Sequence, residues 1–293
     1  MPTKIEKDAV TGTETTGHVW DGIRELNTPL PKWWLYVWLT SIAWALVWFV
    51  LYPSIPFGTS YWHGVLGYST RDQVTQDVRA VAVQRAAVMD RIAQLPFDRI
   101  RADPELMAAA LTAGRITFAN NCQPCHGAGG GGRIGYPALA AGAWIWGGSL
   151  DAIQHTVTYG IRSGQADARD SQMPRFGGAD GVLKPAQIEQ VADFVMTLYG
   201  HAPAATADAS VAAGAALFSD NCAVCHGDKG QGNREVGAPA LASRVHLYGD
   251  TRNAVIAQIS QPHMGVMPNW NTRLDPATIK SVALYVHDLG GGE

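Results

Sequence analysis

Asn121-Cys122-Gln123-Pro124-Cys125-His126-Gly127 returns one hundred positions later as Asn221-Cys222-Ala223-Val224-Cys225-His226-Gly227. Cys-x-x-Cys-His is the signature of covalent c-type haem attachment. Two cysteines three apart lie on one side of a helical turn, where both sulfurs can reach the two vinyl groups of one haem. The adjoining histidine is then placed beneath the iron. Other uses of paired cysteines fit less well. A redox Cys-x-x-Cys of the thioredoxin kind belongs in a βαβ context, which surrounds neither copy. Two zinc knuckles normally lie much closer in sequence. Two disulfides would consume all four cysteines without explaining the histidine after each pair. The reading is two covalently bound haem c groups, held by Cys122, Cys125, Cys222 and Cys225, with His126 and His226 as proximal ligands.

The repeat extends well beyond the motif. Ala113-Gly114, Phe118 and Asn121 recur as Ala213-Gly214, Phe218 and Asn221, and Pro137-Ala138-Leu139 answers Pro239-Ala240-Leu241. Each unit closes with a helical stripe: Ile188, Val191, Val195 and Leu198 in the first, Ile279, Val282, Val286 and Leu289 in the second. Pro185 and Pro276 suit a first helical position, and Asp275 suits an N-cap. Gly114 and Gly214, each one turn before an aromatic residue, let the opening helix approach the closing one, near Phe194 and Tyr285. The expected domains are 104–200 and 211–293, helical, with loop-rich middles and no strands. An Ala-, Pro- and Thr-rich linker, 201–210, joins them. Units of this size are small for a self-sufficient core, so the haem must supply an apolar centre.

Each iron then needs a sixth ligand. Met173-Pro174 and Met267-Pro268 are the candidates, 47 and 41 residues past the proximal histidine of their units. A thioether is soft and neutral, favours ferrous iron and raises the potential. His263 and Met264 compete with Met267 in the second unit, and His155 competes with Met173 in the first. His18, His63, His246 and His287 read as surface or capping residues. Pro137 and Pro239 begin turns whose carbonyls orient the proximal imidazoles.

Charged residues make up only 16% of the 293 residues, below the usual quarter, which suggests a membrane segment or much buried surface. The net charge of −3 and the lack of a basic stripe argue against a nucleic-acid partner. Residues 1–32 read as a polar, irregular segment. Residues 33–52, WWLYVWLTSIAWALVWFVLY, contain no charge and suffice to cross roughly 30 Å of hydrocarbon as a helix. Aromatic residues at both ends suit the interfacial belts, and the hydroxyls of Thr40 and Ser41 can bond back to their own helix. The run is too long for a signal peptide. Lys4, Lys7, Arg24 and Lys32 precede it, whereas the first basic residue after it is Arg71. The N-terminus is therefore expected in the cytoplasm, in agreement with haem c attachment on the outer side of the bacterial membrane. The connector 53–103 holds an amphipathic helix, opened by a capping box at Thr70 and Gln73 and ending at Pro96. That helix is either a packing arm for a partner subunit or a spacer resting on the first haem domain.

The two Cys-x-x-Cys-His units with downstream Met-Pro resemble class I cytochrome c domains. The block Trp20-Asp21-Gly22-Ile23-Arg24-Glu25-Leu26, then Thr28-Pro29-Leu30-Pro31-Lys32-Trp33-Trp34, the Trp-rich span and Gly67-Tyr68-Ser69 resemble the P subunit family (CcoP or FixP) of cbb3-type cytochrome c oxidases. The resemblance implies an all-α chain in the bacterial inner membrane, with one transmembrane helix followed by two periplasmic cytochrome c domains. It implies a non-catalytic subunit that passes electrons from a cytochrome c or other donor toward a haem-copper subunit reducing oxygen and pumping protons, with a mono-haem cytochrome c subunit in the same complex. The other classes are a free-standing, membrane-tethered di-haem cytochrome and a di-haem peroxidase, and the two Met-Pro motifs argue against the peroxidase.

Overall fold

The computed structural model describes residues 4–200 and 208–293. The chain forms two compact units, divided after Val83. In the first unit, Thr15–Trp20 (β1) and Ile23–Leu26 (β2) pair antiparallel, with Val19 opposite Arg24 and Trp20 opposite Ile23. Asp21 and Gly22 join them, with φ of 50° and 85°. Two positive φ values in a two-residue loop make a primed hairpin turn, whose twist matches that of its strands. The segment expected to be irregular is thus partly a hairpin, and Asp-Gly between apolar residues is its sequence signal.

The helix α1, Lys32–Leu51, begins one residue before the expected span and leaves Tyr52 as its C-cap. None of its side chains is buried, and only Leu35 and Leu51 are partly covered. A helix that is apolar on all sides and uncovered by protein needs lipid as its solvent. Ser41 donates its hydroxyl to the Trp38 carbonyl at 2.7 Å, so the polar group is satisfied within the helix. A short hairpin, Pro56–Phe57 (β3) with Ser60–Tyr61 (β4), follows.

The helix α2, Thr70–Gln94, carries the chain onward. Its cap lies one residue before the expected box: Ser69 Oγ accepts from the Asp72 N–H at 3.3 Å, while Gln73 turns its amide to Asp77. Val88, Met89, Ile92 and Leu95 pack against Ile100 and Leu106. Lys280 donates to the carbonyls of Ala93 and Leu95 at 2.8 and 2.7 Å, satisfying the exposed end of α2 with a cation. The spacer reading therefore holds for the last part of this helix, whereas Val74, Val78 and Val83 nearer its start are exposed.

The remaining α-helices among the described residues are α3 (Phe97–Ala102), α4 (Pro104–Asn121), α5 (Gln123–His126), α6 (Leu150–Tyr159), α7 (Pro185–Leu198), α8 (Asp208–Asn221), α9 (Ala223–His226), α10 (Arg252–Ser260) and α11 (Pro276–Asp288). Residues 201–207 of the expected linker lie outside the described residues, and 208–210 already belong to α8. Among the described residues from 97 onward there are only isolated bridges and no strand.

The closing helices are exchanged between the two sequence repeats. α4 and α6 pack against α11, and α8 packs against α7, which also meets α10. One lobe buries Phe118, Ile153 and Val157 with Ile279, Val282 and Val286. The other buries Phe218, Val255 and Ile259 with Ile188, Val191 and Val195. A side-chain carbon at Gly114 would run into the Ser281 carbonyl and Tyr285, and one at Gly214 into the Gln190 carbonyl and Phe194. Both glycines serve close helix approach as expected, but toward the other repeat. The physical reason is proximity in sequence: α7 and α8 are consecutive helices on a short connection, and such neighbours normally pack together. That leaves α11 to close the first lobe.

Candidate haem sites

Each Cys-x-x-Cys-His motif is positioned by the end of its opening helix. Asp103 caps α4, accepting from the N–H groups of Glu105 and Leu106 at 3.0 and 3.2 Å. At the other end Asn121 bonds back to the Thr117 carbonyl at 3.0 Å, as Asn221 does to Leu217 at 2.9 Å. The His126 N–H donates to the Cys122 carbonyl and the His226 N–H to Cys222, both at 2.9 Å, so each motif is one helical turn. Gly127 and Gly227 then reverse the chain, both with φ of 77°, a conformation that favours glycine. The N–H groups of Gly132 and Gly232 close the loops onto the carbonyls of His126 and His226, both at 2.7 Å.

The loop geometry fixes the histidines. Nδ1 of His126 lies 3.1 Å from the Pro137 carbonyl, and Nδ1 of His226 lies 2.9 Å from that of Pro239. A carbonyl can only accept, so Nδ1 carries the hydrogen and Nε2 is left for a metal. Both expected proline carbonyls hold the rings. Burial pushes both imidazoles below the usual histidine range, against the smaller opposing pull of the proline carbonyls, so each ring stays neutral. Burial, with a smaller contribution from the neighbouring cysteine, pushes the thiols of Cys122 and Cys222 up to about 11.

Both motifs open into one cavity of about 1010 Å³, lined by all four cysteines, His126, His226, Met173 and Met267 together with apolar side chains. That volume reaches the upper end of the range for a single ligand pocket. The lobes share its wall: the Gly135 N–H donates to the Leu247 carbonyl at 2.7 Å, and Trp146 fills the space beside Gly237. Paired unbridged thiols, a neutral imidazole with one nitrogen committed and a roomy apolar cavity suit a covalently held haem.

The methionines follow the exchanged helices. Met267 and Cys122 both pack against the cluster that holds Phe118 and Val157, and the Met267 backbone forms a two-way bridge with Ile161, each bond 3.0 Å. Met173 packs with Cys222, Phe218 and Val255. The thioether beside each motif therefore comes from the other sequence repeat, not from its own as expected. The proximity of α7 and α8 dictates this too, because each methionine precedes its closing helix.

The family described as the N-terminal domain of cytochrome oxidase-cbb3, FixP, matches residues 12–59. Cytochrome C oxidase, cbb3-type, subunit III, matches residues 109–195 and 209–286. The chain is 46% identical over 293 residues to the cbb3-type cytochrome c oxidase subunit FixP of Bradyrhizobium sp. (strain ORS 278), covering all of both chains. It is 45% identical over 295 residues to subunit CcoP of Cereibacter sphaeroides, again covering all of both. The chain belongs to the CcoP/FixP family.

Its cytochrome c domains imply haem c binding. The competing ligands of this CcoP/FixP chain are less well placed than the two Met-Pro methionines. His263 and Met264 line the cavity but are exposed, Met264 by 42%. His155 lies on α6 beside Tyr159, outside the cavity lining, with its buried Nδ1 unpartnered. His18 and His63 lie against aromatic rings and His287 bonds the Glu293 carbonyl at 3.0 Å, whereas His246, expected at the surface or as a cap, is half-buried against Tyr199 in the cavity lining. The sequence reading missed Ile161, whose bridge to Met267 anchors that loop; an isolated bridge leaves no periodic pattern from which to read it.

Proposed function

We propose that this chain is the membrane-anchored di-haem electron-transfer subunit of a cbb3-type oxidase, carrying two covalent haem c groups. Cys122 and Cys125 hold one, ligated by His126 and Met267. Cys222 and Cys225 hold the other, ligated by His226 and Met173. The observation that carries this reading is the single cavity into which both motifs and both thioethers open. The bound haem supplies reversible one-electron chemistry. The protein's part is to fix neutral imidazoles through Pro137 and Pro239, exclude water with apolar walls and fill the sixth position with sulfur. With His126 and Met267 to hold one iron and His226 and Met173 the other, neither would be open to substrate, so the chain would relay electrons and oxygen reduction would belong to the haem-copper subunit it serves.

The domains are taken as 104–200 and 211–293 by sequence repeat. The N-terminus is placed in the cytoplasm and the haem domains in the periplasm, supported by the basic bias before the span. The electron donor is a soluble or membrane-bound cytochrome c or another electron donor, and a mono-haem cytochrome c subunit accompanies the chain. Purification in mild detergent tests this reading. Haem b, copper and oxygen-reducing activity should co-purify with the chain, and its recovery alone, with haem c only, would leave the free-standing tethered cytochrome as the reading.

A further inference from the structure

We propose that Arg162 is the positioning residue that ties together the two methionine-bearing segments, so that the thioethers of Met173 and Met267 are held as one unit. This rests on the ligand sets given under Proposed function. Arg162 follows α6 with φ of 53°, and Asp21 is the only other described non-glycine residue with positive φ. Any residue with a Cβ is strained there, and an arginine has no local compensation of the kind asparagine or aspartate can make. The surroundings impose the conformation. The Arg162 N–H donates to the Arg169 carbonyl at 2.8 Å, and the preceding Ile161 is bridged to Met267.

The strained backbone delivers the guanidinium to the cavity wall. Its Nε donates to the Gly265 carbonyl at 2.7 Å, and its Nη1 donates to the Ser171 carbonyl at 2.9 Å. Gly265 stands two residues before Met267, and Ser171 two before Met173. One planar group thus grips the equivalent point on both ligand segments. Among the described residues no carboxylate forms an ion pair with Arg162, so its charge is committed to these carbonyls and to the cavity. A lysine has a point charge and no fixed fork, so it cannot reproduce two directed bonds. Neither methionine lies on a helix. A tie common to both segments makes the release of one thioether ease the release of the other.

The test uses the full chain in detergent with its haem attached, titrating the ferric protein with imidazole, which displaces a thioether. The weak near-infrared absorption of imidazole–thioether iron, read in parallel backgrounds that each lack the cysteines of one motif, reports each site. Asparagine tolerates positive φ, so Arg162→Asn removes the tie with little backbone penalty. Imidazole should then bind at both irons about tenfold more tightly, the loss of one charge-assisted bond per segment, with covalent haem content unchanged. Arg162→Lys should stay weakened at one iron or both. Arg175→Gln, which removes an exposed charge near Met173, should match the unmodified protein. A response at one iron only in Arg162→Asn, none at either, the same response in Arg175→Gln, or full retention in Arg162→Lys would overturn the proposal. Should Arg162→Asn not accumulate with its full haem content, the lysine variant decides by the same criterion. If the unmodified protein lacks the near-infrared band, methionine ligation itself fails, which is a separate result.

Discussion

At the residue scale, Gly214 shows how one missing side chain sets the approach of two helices. In an exposed helix, replacing glycine with alanine stabilises by up to about 1 kcal/mol. At Gly214 the added carbon meets the Gln190 carbonyl and Phe194, and overpacking of this kind costs about 1–3 kcal/mol. Gly214→Ala should therefore lower the calorimetric melting temperature of the haem-loaded chain, and a rise would mean that the contact relaxes freely. Gly114 and Gly214 could be found in the sequence because their offset from the aromatic residue repeats. Of what they meet, Tyr285 and Phe194 were named in the sequence, though against the opposite glycines, whereas Ser281 and Gln190 could not be, since they contribute only backbone. The same limit applied to the sixth ligands. Met173 and Met267 stood out by their prolines, but which histidine each faces depends on chain path. This gives a sharp test: in a Cys222→Ser, Cys225→Ser background, which removes both thioether bonds of the second motif, Met267→Leu should abolish the remaining near-infrared band. Met173→Leu should leave it intact. The opposite pattern would restore pairing within each repeat.

At the scale of elements, the second lobe depends on a polar junction where three helices meet. Asp193 of α7 accepts from Ser210 of α8 at 2.8 Å and from Arg252 of α10 at 2.6 Å, with its side chain only 4% exposed. Burial pushes this carboxyl upward, but the bonds from Arg252 and Ser210 and the arginine charge together hold it below the usual range. A depressed folded value means that the carboxylate stabilises fully above the unfolded value of about 3.9, and that this support fades as the pH falls through the folded one. Asp193→Asn should cost about 1.5–3 kcal/mol near neutrality, measured by denaturant unfolding. The gap to the unmodified protein should narrow below about pH 4; a gap independent of pH would point to packing alone. The helix stripes and caps at Asp275, Pro185 and Pro276 were legible because period and end chemistry are local. The Asp21-Gly22 hairpin was legible too and was missed, since the surrounding polarity masked a two-residue signal. The exchange of α7 and α11 was not legible, because both carry the same apolar stripe and either would fit either lobe.

At the scale of the whole molecule, that exchange makes the two sequence repeats inseparable. The first lobe takes α4 and α6 from one repeat and α11 from the other, and the second takes α8 and α10 from one and α7 from the other. A fragment ending at residue 200 lacks both α11 and Met267, so its first haem motif would have no closing helix and no thioether. A specific protease site placed between residues 200 and 208 separates this architecture from two independent beads. In liposomes holding only this chain, cleavage should leave the haem-bearing C-terminal fragment attached to the membrane-anchored one. The near-infrared band should survive, because each lobe still buries helices from both sides of the cut. Independent domains would instead release the C-terminal fragment into the supernatant with its spectrum intact. The burial decides between these outcomes. Phe118 and Phe218, each only 2% exposed, are covered by closing helices that lie on opposite sides of the cut from them. Truncating one such contact costs about 3–5 kcal/mol, and dissociation exposes both lobes at once. Release of the fragment without denaturant would therefore sink the exchanged architecture.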